Sequence, residues 1–260
     1  MTGPRPPVVE QPEWLSPSTL MPELTPEEEV VLLARTLWRE GYDDHLAGHI
    51  TYKLGDGTFL CNPWFLLWNE IRPEHLIRID LDGTVVEGDW PVPPGIPLHL
   101  ELHKAREDVK VAIHNHSRWG TVWADMRLVP PCLDQSSALG GGRLVLVDEY
   151  AGPVNDPASA ARAVSQMGDA DMALLAGHGV FVTAGSVRAA HQRAVALEWR
   201  CRVAHAVAAA GETGQELPPE IRERFGRDGG GGFIGFWEAM VRQELREDPS
   251  LVGNRDQGKD

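Results

Sequence analysis

Val109-Lys110-Val111-Ala112-Ile113-His114-Asn115-His116 and Leu174-Leu175-Ala176-Gly177-His178-Gly179-Val180 are the two stretches that decide how this chain is read. In each, an apolar run of strand length ends on histidine. The first closes on a pair at i, i+2, which an extended chain points to one side. The second closes on a Gly-His-Gly turn. Three imidazoles leaving two strand ends form a metal-ligand arrangement. Imidazole suits Zn, Mn, Fe and Co, and three ligands leave a coordination position open. An open position lets a metal polarise a carbonyl or activate oxygen or water. Read singly, each histidine is as easily a core or turn residue; the shared placement at strand ends favours the metal.

The flanking sequence supplies the elements around these strands. Residues 49–54 alternate, Gly55-Asp56-Gly57 turns, and 58–61 return, a β-hairpin signature. Residues 76–80 and 84–87 flank Asp82-Gly83 as a second hairpin. Thr25, Pro26 and Glu28 start a helix with a capping box, and Gly41 stops it. Residues 98–106 read as a helix carrying His99 and His103 on one face. Ser117 caps a helix to about residue 126. A strand at 144–147 and a helix at 158–167, opened by Asn155-Asp156-Pro157, come next. Strands at 172–176 and 180–183 flank the Gly-His-Gly turn. Ser186 caps a long helix, 187–210, and a last helix covers 236–245. The hairpins imply a mainly antiparallel sheet with helices on both sides. The expected architecture is α/β: a single three-layer α/β/α domain over 25–225. A Pro-rich extension at 1–24 is expected to wrap or trail rather than pack as an element. A Gly-rich joint at 229–232, the terminal helix and a frayed polar tail from 246 fill the segment 226–260.

Composition narrows the partners. Hydrophobic residues at 42% and charged residues at 24% are ordinary for a globular chain. A formal net charge of -14 disfavours nucleic acid and anionic membranes. The three cysteines, Cys61, Cys132 and Cys201, are scattered and unmatched, which points to reduced thiols and a cytoplasmic setting. The N-terminus lacks the cationic and apolar pattern of a signal peptide. No apolar run is long enough for a membrane helix.

In order along the chain, Leu98-His99-Leu100, Ala105-Arg106-Glu107-Asp108-Val109, Ala112-Ile113-His114-Asn115-His116-Ser117, Asp148-Glu149-Tyr150-Ala151-Gly152 and the Gly177-His178-Gly179 stretch resemble the class II aldolase/adducin family. Cys61-Asn62-Pro63-Trp64 and Ile79-Asp80-Leu81-Asp82-Gly83 look like its adducin-head-like bacterial branch. Each motif is weak alone; the ordered set is specific. The resemblance covers about residues 27–212. It implies a mainly antiparallel α/β/α domain, a homotetramer with sites at subunit interfaces, and a divalent metal on His114, His116 and His178.

Departures from the family's sugar-phosphate aldolases shape the functional expectation. Those enzymes carry a Glu four residues before the position of His99; here it is Gly95, which cannot carry a proton. Their Gly-Asn phosphate turn is matched by Gly48-His49, their second phosphate segment by Asn62-Pro63, and their Ser-Ser pair by Pro93-Pro94. Proline removes backbone donors and the lost serines remove hydroxyls. A phosphorylated sugar is therefore not expected. Trp64, Phe65, Trp68, Trp119 and Trp123 offer apolar surface, mostly as core, and any that line the pocket favour an aromatic substrate. His49, Asn62, Trp64 and Arg118 are the candidate substrate contacts; Arg118 alternatively makes a surface ion pair. His99 and, from a neighbouring subunit, Gln135 are the candidate catalytic groups. His75, His191 and His205 read as structural.

Three functions stay open on the sequence. The first choice is a metal-dependent lyase that cleaves a C–C bond in a non-phosphorylated carbonyl, hydroxy- or keto-acid small molecule, by retro-aldol cleavage or decarboxylation. The second is a non-heme iron oxygenase acting on an aromatic keto or hydroxy acid. The third is a non-catalytic, adducin-like assembly protein.

Overall fold

A computed structural model of the chain describes residues 16–148, 156–230 and 234–253. Within them, eight strands form one sheet: β1 (His49–Lys53), β2 (Phe59–Cys61), β3 (Ile77–Ile79), β4 (Val85–Glu87), β5 (Val111–Asn115), β6 (Leu144–Val147), β7 (Met172–Leu175) and β8 (Gly179–Ala184). Their order is β4-β3-β2-β1-β5-β8-β7-β6. Every neighbouring pair is antiparallel except β6–β7. A parallel pair needs a crossover, and helix α6 (Pro157–Met167) lies between those strands in the chain.

The remaining helices are α1 (Pro17–Leu20), α2 (Pro26–Arg39), α3 (Ile96–Ala105), α4 (Arg118–Met126), α5 (Gln135–Ala138), α7 (Val187–Ala209), α8 (Pro219–Gly230) and α9 (Phe236–Glu247). Strand alternation sorts them into two layers. Val111 and Ile113 join a core with Leu33, Leu37, Leu197 and Val241 from α2, α7 and α9. Ala112, Ala173 and Phe181 face the other way and pack with Leu98, Leu102 and Val164 from α3 and α6. The expected three-layer arrangement is therefore present. Helix α2 begins as its sequence dictates: the Glu28 amide donates to Thr25 Oγ1 (3.2 Å), and the Thr25 amide donates to Glu28 Oε2 (2.8 Å). Such a cap contributes about 1 kcal/mol.

Both ends pack more than expected. Residues 17–20 form a helical turn, and Met21 and Leu24 reach the main core. Beyond α9, Pro249–Leu251 form a 3₁₀ turn with Leu251 fully buried. Arg72 donates to Asp248 Oδ2 (2.9 Å), and the Gly253 amide donates to Glu28 Oε1 (2.9 Å). One apolar side chain and two charge-assisted bonds hold a segment whose polar composition predicts fraying. Helices α5 and α8 were not expected, because neither shows a sustained apolar period. Residues 1–15 of the extension, 149–152 of the Tyr150 motif, 231–232 of the glycine joint and 254–260 lie outside the described residues.

Candidate metal centre and pocket

Sheet register assembles the site. His49 on β1 lies opposite His114 on β5, and His114 lies opposite Phe181 on β8. All three belong to the sheet face covered by α3. His116 follows two residues after His114, and His178 sits in the β7–β8 turn. The ligand nitrogens of His114, His116 and His178 all fall within 4.8 Å of one another. His114 Nδ1 donates to the carbonyl of Val180 (2.9 Å), and His116 Nδ1 bonds Asp44 Oδ2 (2.8 Å). These bonds leave Nε2 of both rings free as a metal lone pair. Burial, then repulsion from neighbouring histidines, keeps His114 well below the usual imidazole range and lowers His178 to about 4. Both are therefore neutral near pH 7, the form that binds metal. The donor set fits a divalent ion with an open position.

The three rings open into a cavity of about 200 Å³, also lined by His49, Trp64, Pro94, Gly95 and Leu98. Two glycines shape it. At Gly48, φ is +132°, and a Cβ there would lie 2.4 Å from Asn115 Nδ2 and 2.8 Å from Trp68 Cζ2. At Gly95, a Cβ would lie 2.1 Å from His49 Cε1. The imidazole of His49 thus occupies the space that a side chain at 95 would enter. Its Nδ1 is buried without a hydrogen-bond partner, and burial, with His116 and His178 adding, lowers it to about 3.

His99 does not line the cavity. It is fully buried behind His49, edge-on to that ring at 5.6 Å between centroids. Its Nδ1 bonds Thr51 Oγ1 (2.9 Å), which also bonds His103 Nε2 (2.9 Å). His99 Nε2 has no hydrogen-bond partner. Asn62 is buried in the supporting wall. Its Oδ1 accepts from the Ile50 amide (2.6 Å) and its Nδ2 donates to the Gly48 carbonyl (3.2 Å), so it shapes the turn before His49. Arg118 is exposed and pairs with Asp43 (2.7 Å). Gln135 is exposed at the start of α5, outside the cavity. Among the described tryptophans, Trp64 alone lines the cavity; Trp68 is core, and Trp123 donates to the Cys201 carbonyl.

The roles of two participants were not read from the sequence. Asp44, in an acidic turn, orients His116. Glu198, midway along α7, accepts from the amides of Trp119 (2.6 Å) and Gly120 (2.9 Å) at the start of α4. Ser117 occupies the cap position but makes no side-chain cap bond; the carboxylate of Glu198 satisfies those amides instead.

The chain is similar to several known proteins. The family described as "Class II Aldolase and Adducin N-terminal domain" matches residues 28–205. Decarboxylase NovR of Streptomyces niveus is 30% identical over 82% of this chain and 82% of its own length. The 4-hydroxy-3-prenylphenylpyruvate oxygenase/4-hydroxy-3-prenylbenzoate synthase of Streptomyces roseochromogenus subsp. oscitans is 29% identical over 82% of this chain and 79% of its own. A crystal structure of an aldolase II superfamily protein from Pseudomonas syringae superposes with a TM-score of 0.75 at 25% identity, covering 87% of this chain and 96% of that one.

Proposed function

This chain belongs to the class II aldolase and adducin family, and on that footing we propose that it is a divalent-metal-dependent lyase. Its substrate in this reading is a non-phosphorylated keto or hydroxy acid, cleaved at a C–C bond. The observation that carries the reading is the exchange at Gly95 and His49. Position 95 bears no carboxylate, and a neutral imidazole fills the space. Aldol chemistry through a carboxylate at 95 then lacks its proton carrier. Decarboxylation asks less of a base, because carbon dioxide leaves without prior removal of a proton. The name of the Streptomyces niveus relative, a decarboxylase, supports this order of preference.

In this reading His114, His116 and His178 hold the metal, which when bound polarises a substrate oxygen and stabilises the negative charge that develops on cleavage. His49 turns its unpartnered Nδ1 to a substrate oxygen, and His99, anchored by Thr51, sets the angle of that ring. Trp64, Pro94 and Leu98 pack against an apolar or aromatic body. In a homotetramer, as the family resemblance implies, Gln135 serves a neighbouring copy's site, while Arg118 is left to its ion pair with Asp43. A second reading, an iron-dependent oxygenase on an aromatic keto acid, draws support from the name of the Streptomyces roseochromogenus relative.

One experiment separates these readings. Anaerobically purified protein and its His114→Ala variant are analysed for metal, then assayed for carbon dioxide release from aryl keto and hydroxy acids. About one metal per chain, lost in the variant, with release in the absence of oxygen, is the expected result. Release only with Fe(II) and oxygen moves the function to the oxygenase. No metal uptake and no turnover leave an assembly protein. A preference for sugar phosphates overturns the substrate class.

A further inference from the structure

A second cavity, of about 470 Å³, lies between α5, α7 and α8. Met172, at the start of β7, lines it, whereas His178 follows the other end of that strand, so the two cavities are distinct. A close backbone approach builds it. Gly141, with φ +59°, sits where a Cβ would lie 2.6 Å from the carbonyl oxygen of Gly226 on α8. That contact seats α8 and brings Arg222 into the same lining as Arg200 of α7.

Three polar side chains of this lining, Arg200, Ser137 and Arg222, have bonding capacity left over. Arg200 gives Nε and Nη2 to the Pro130 carbonyl (2.9 and 2.6 Å) and forms no ion pair among the described residues. Burial lowers its pKa from the usual guanidinium value. Arg222 has one long contact with Glu216, at 3.8 Å, and its Nε is buried without a hydrogen-bond partner. Ser137 is 7% exposed, lines the cavity, and its hydroxyl is likewise unpartnered. Buried polar groups are normally satisfied, and a buried cation normally has a counter-charge. Arg200 and Arg222 meet one lining carboxylate, Glu223, with Glu216 paired to the partly exposed Arg222 beyond the lining, in a chain of net charge -14. Leu197, Met172, Ala138 and Pro219 supply apolar surface to the wall.

We propose that this cavity is a binding site for a small organic monocarboxylate, separate from the histidine pocket. The carboxylate lies between Arg200 and Arg222 and accepts from the Ser137 hydroxyl. Its apolar body packs on Leu197 and Met172. Glu223 disfavours a second negative charge, which selects against phosphate.

The test is calorimetric titration of the full chain with benzoate, benzamide and inorganic phosphate. It is repeated on Arg222→Gln, on Ser137→Ala and on a His114→Ala/His178→Ala double variant. The expected result is saturable binding of benzoate alone. Arg222→Gln is expected to weaken it about tenfold or more, and Ser137→Ala measurably. The double histidine variant binds as the unaltered chain does. Equal binding of benzamide, or phosphate binding as tightly as benzoate, overturns the proposal. So does affinity that is unchanged in both Arg222→Gln and Ser137→Ala, or that is lost with the histidines. Ser137→Ala removes one exchangeable hydroxyl, so the test survives any misfolding of Arg222→Gln.

Discussion

A Cβ at position 95 would stand 2.1 Å from Cε1 of His49, so the residues at 95 and 49 compete for one volume. No rotamer of a larger side chain relieves a clash that begins at Cβ. Gly95→Glu alone is therefore expected to lower stability by about 1–3 kcal/mol and to disturb His114, which touches His49. Combined with His49→Asn, the same substitution should recover most of that loss. Urea unfolding of the two single variants and the double variant measures the coupling, and additive costs would refute it. His191 offers a different residue-scale prediction. It is buried against Phe236 and Trp237, both ring nitrogens lack partners, and burial lowers its pKa to about 3. An unfolded chain binds that proton near pH 6.5. Between those values the unfolded state holds more protons, so stability falls as pH falls, by at most about 1.4 kcal/mol per pH unit. His191→Phe should flatten that loss. Unfolding midpoints at pH 7 and pH 5 that drop equally in both proteins would contradict this.

At the scale of elements, α4 starts directly after the His116 loop, and its first free amides are held by Glu198 from α7 rather than by its own cap residue. Glu198→Ala leaves those buried amides unsatisfied and is expected to cost about 1–3 kcal/mol. Urea unfolding checks this, and a loss below about 0.5 kcal/mol would show that water or Ser117 takes over. The same elements show what was legible in the sequence. The β1–β2 hairpin was, because Gly55-Asp56-Gly57 dictates its turn. Three histidines at two strand ends were, because strand register converts spacing into proximity. Asp44, Glu198 and the contest between His49 and Gly95 were not, because each depends on contact between segments far apart in the chain. Helix α8 escaped for another reason. Its seat is a glycine-to-glycine backbone approach, which leaves no apolar rhythm to read.

For the whole molecule, two layers of helices enclose one sheet, and the histidine pocket belongs to the layer of α3 while α2, α7 and α9 fill the other. Damage to the second layer should therefore reach stability before it reaches metal binding. Trp237→Ala, which removes a fully buried ring, is expected to cost about 3–5 kcal/mol. Metal content per folded chain should stay unchanged. Elemental analysis of the soluble fraction decides this, and loss of metal in step with stability would tie the layers together. The clasp between Gly253 and Glu28 has a consequence for chain connectivity. Residue 253 and the start of α2 lie side by side, so the order in which the ribosome makes the segments is not dictated by the fold. A short linker joining residue 253 to the start of α2, with new termini cut into the exposed Gly55-Asp56-Gly57 turn, would give a circularly permuted chain able to reach the same architecture.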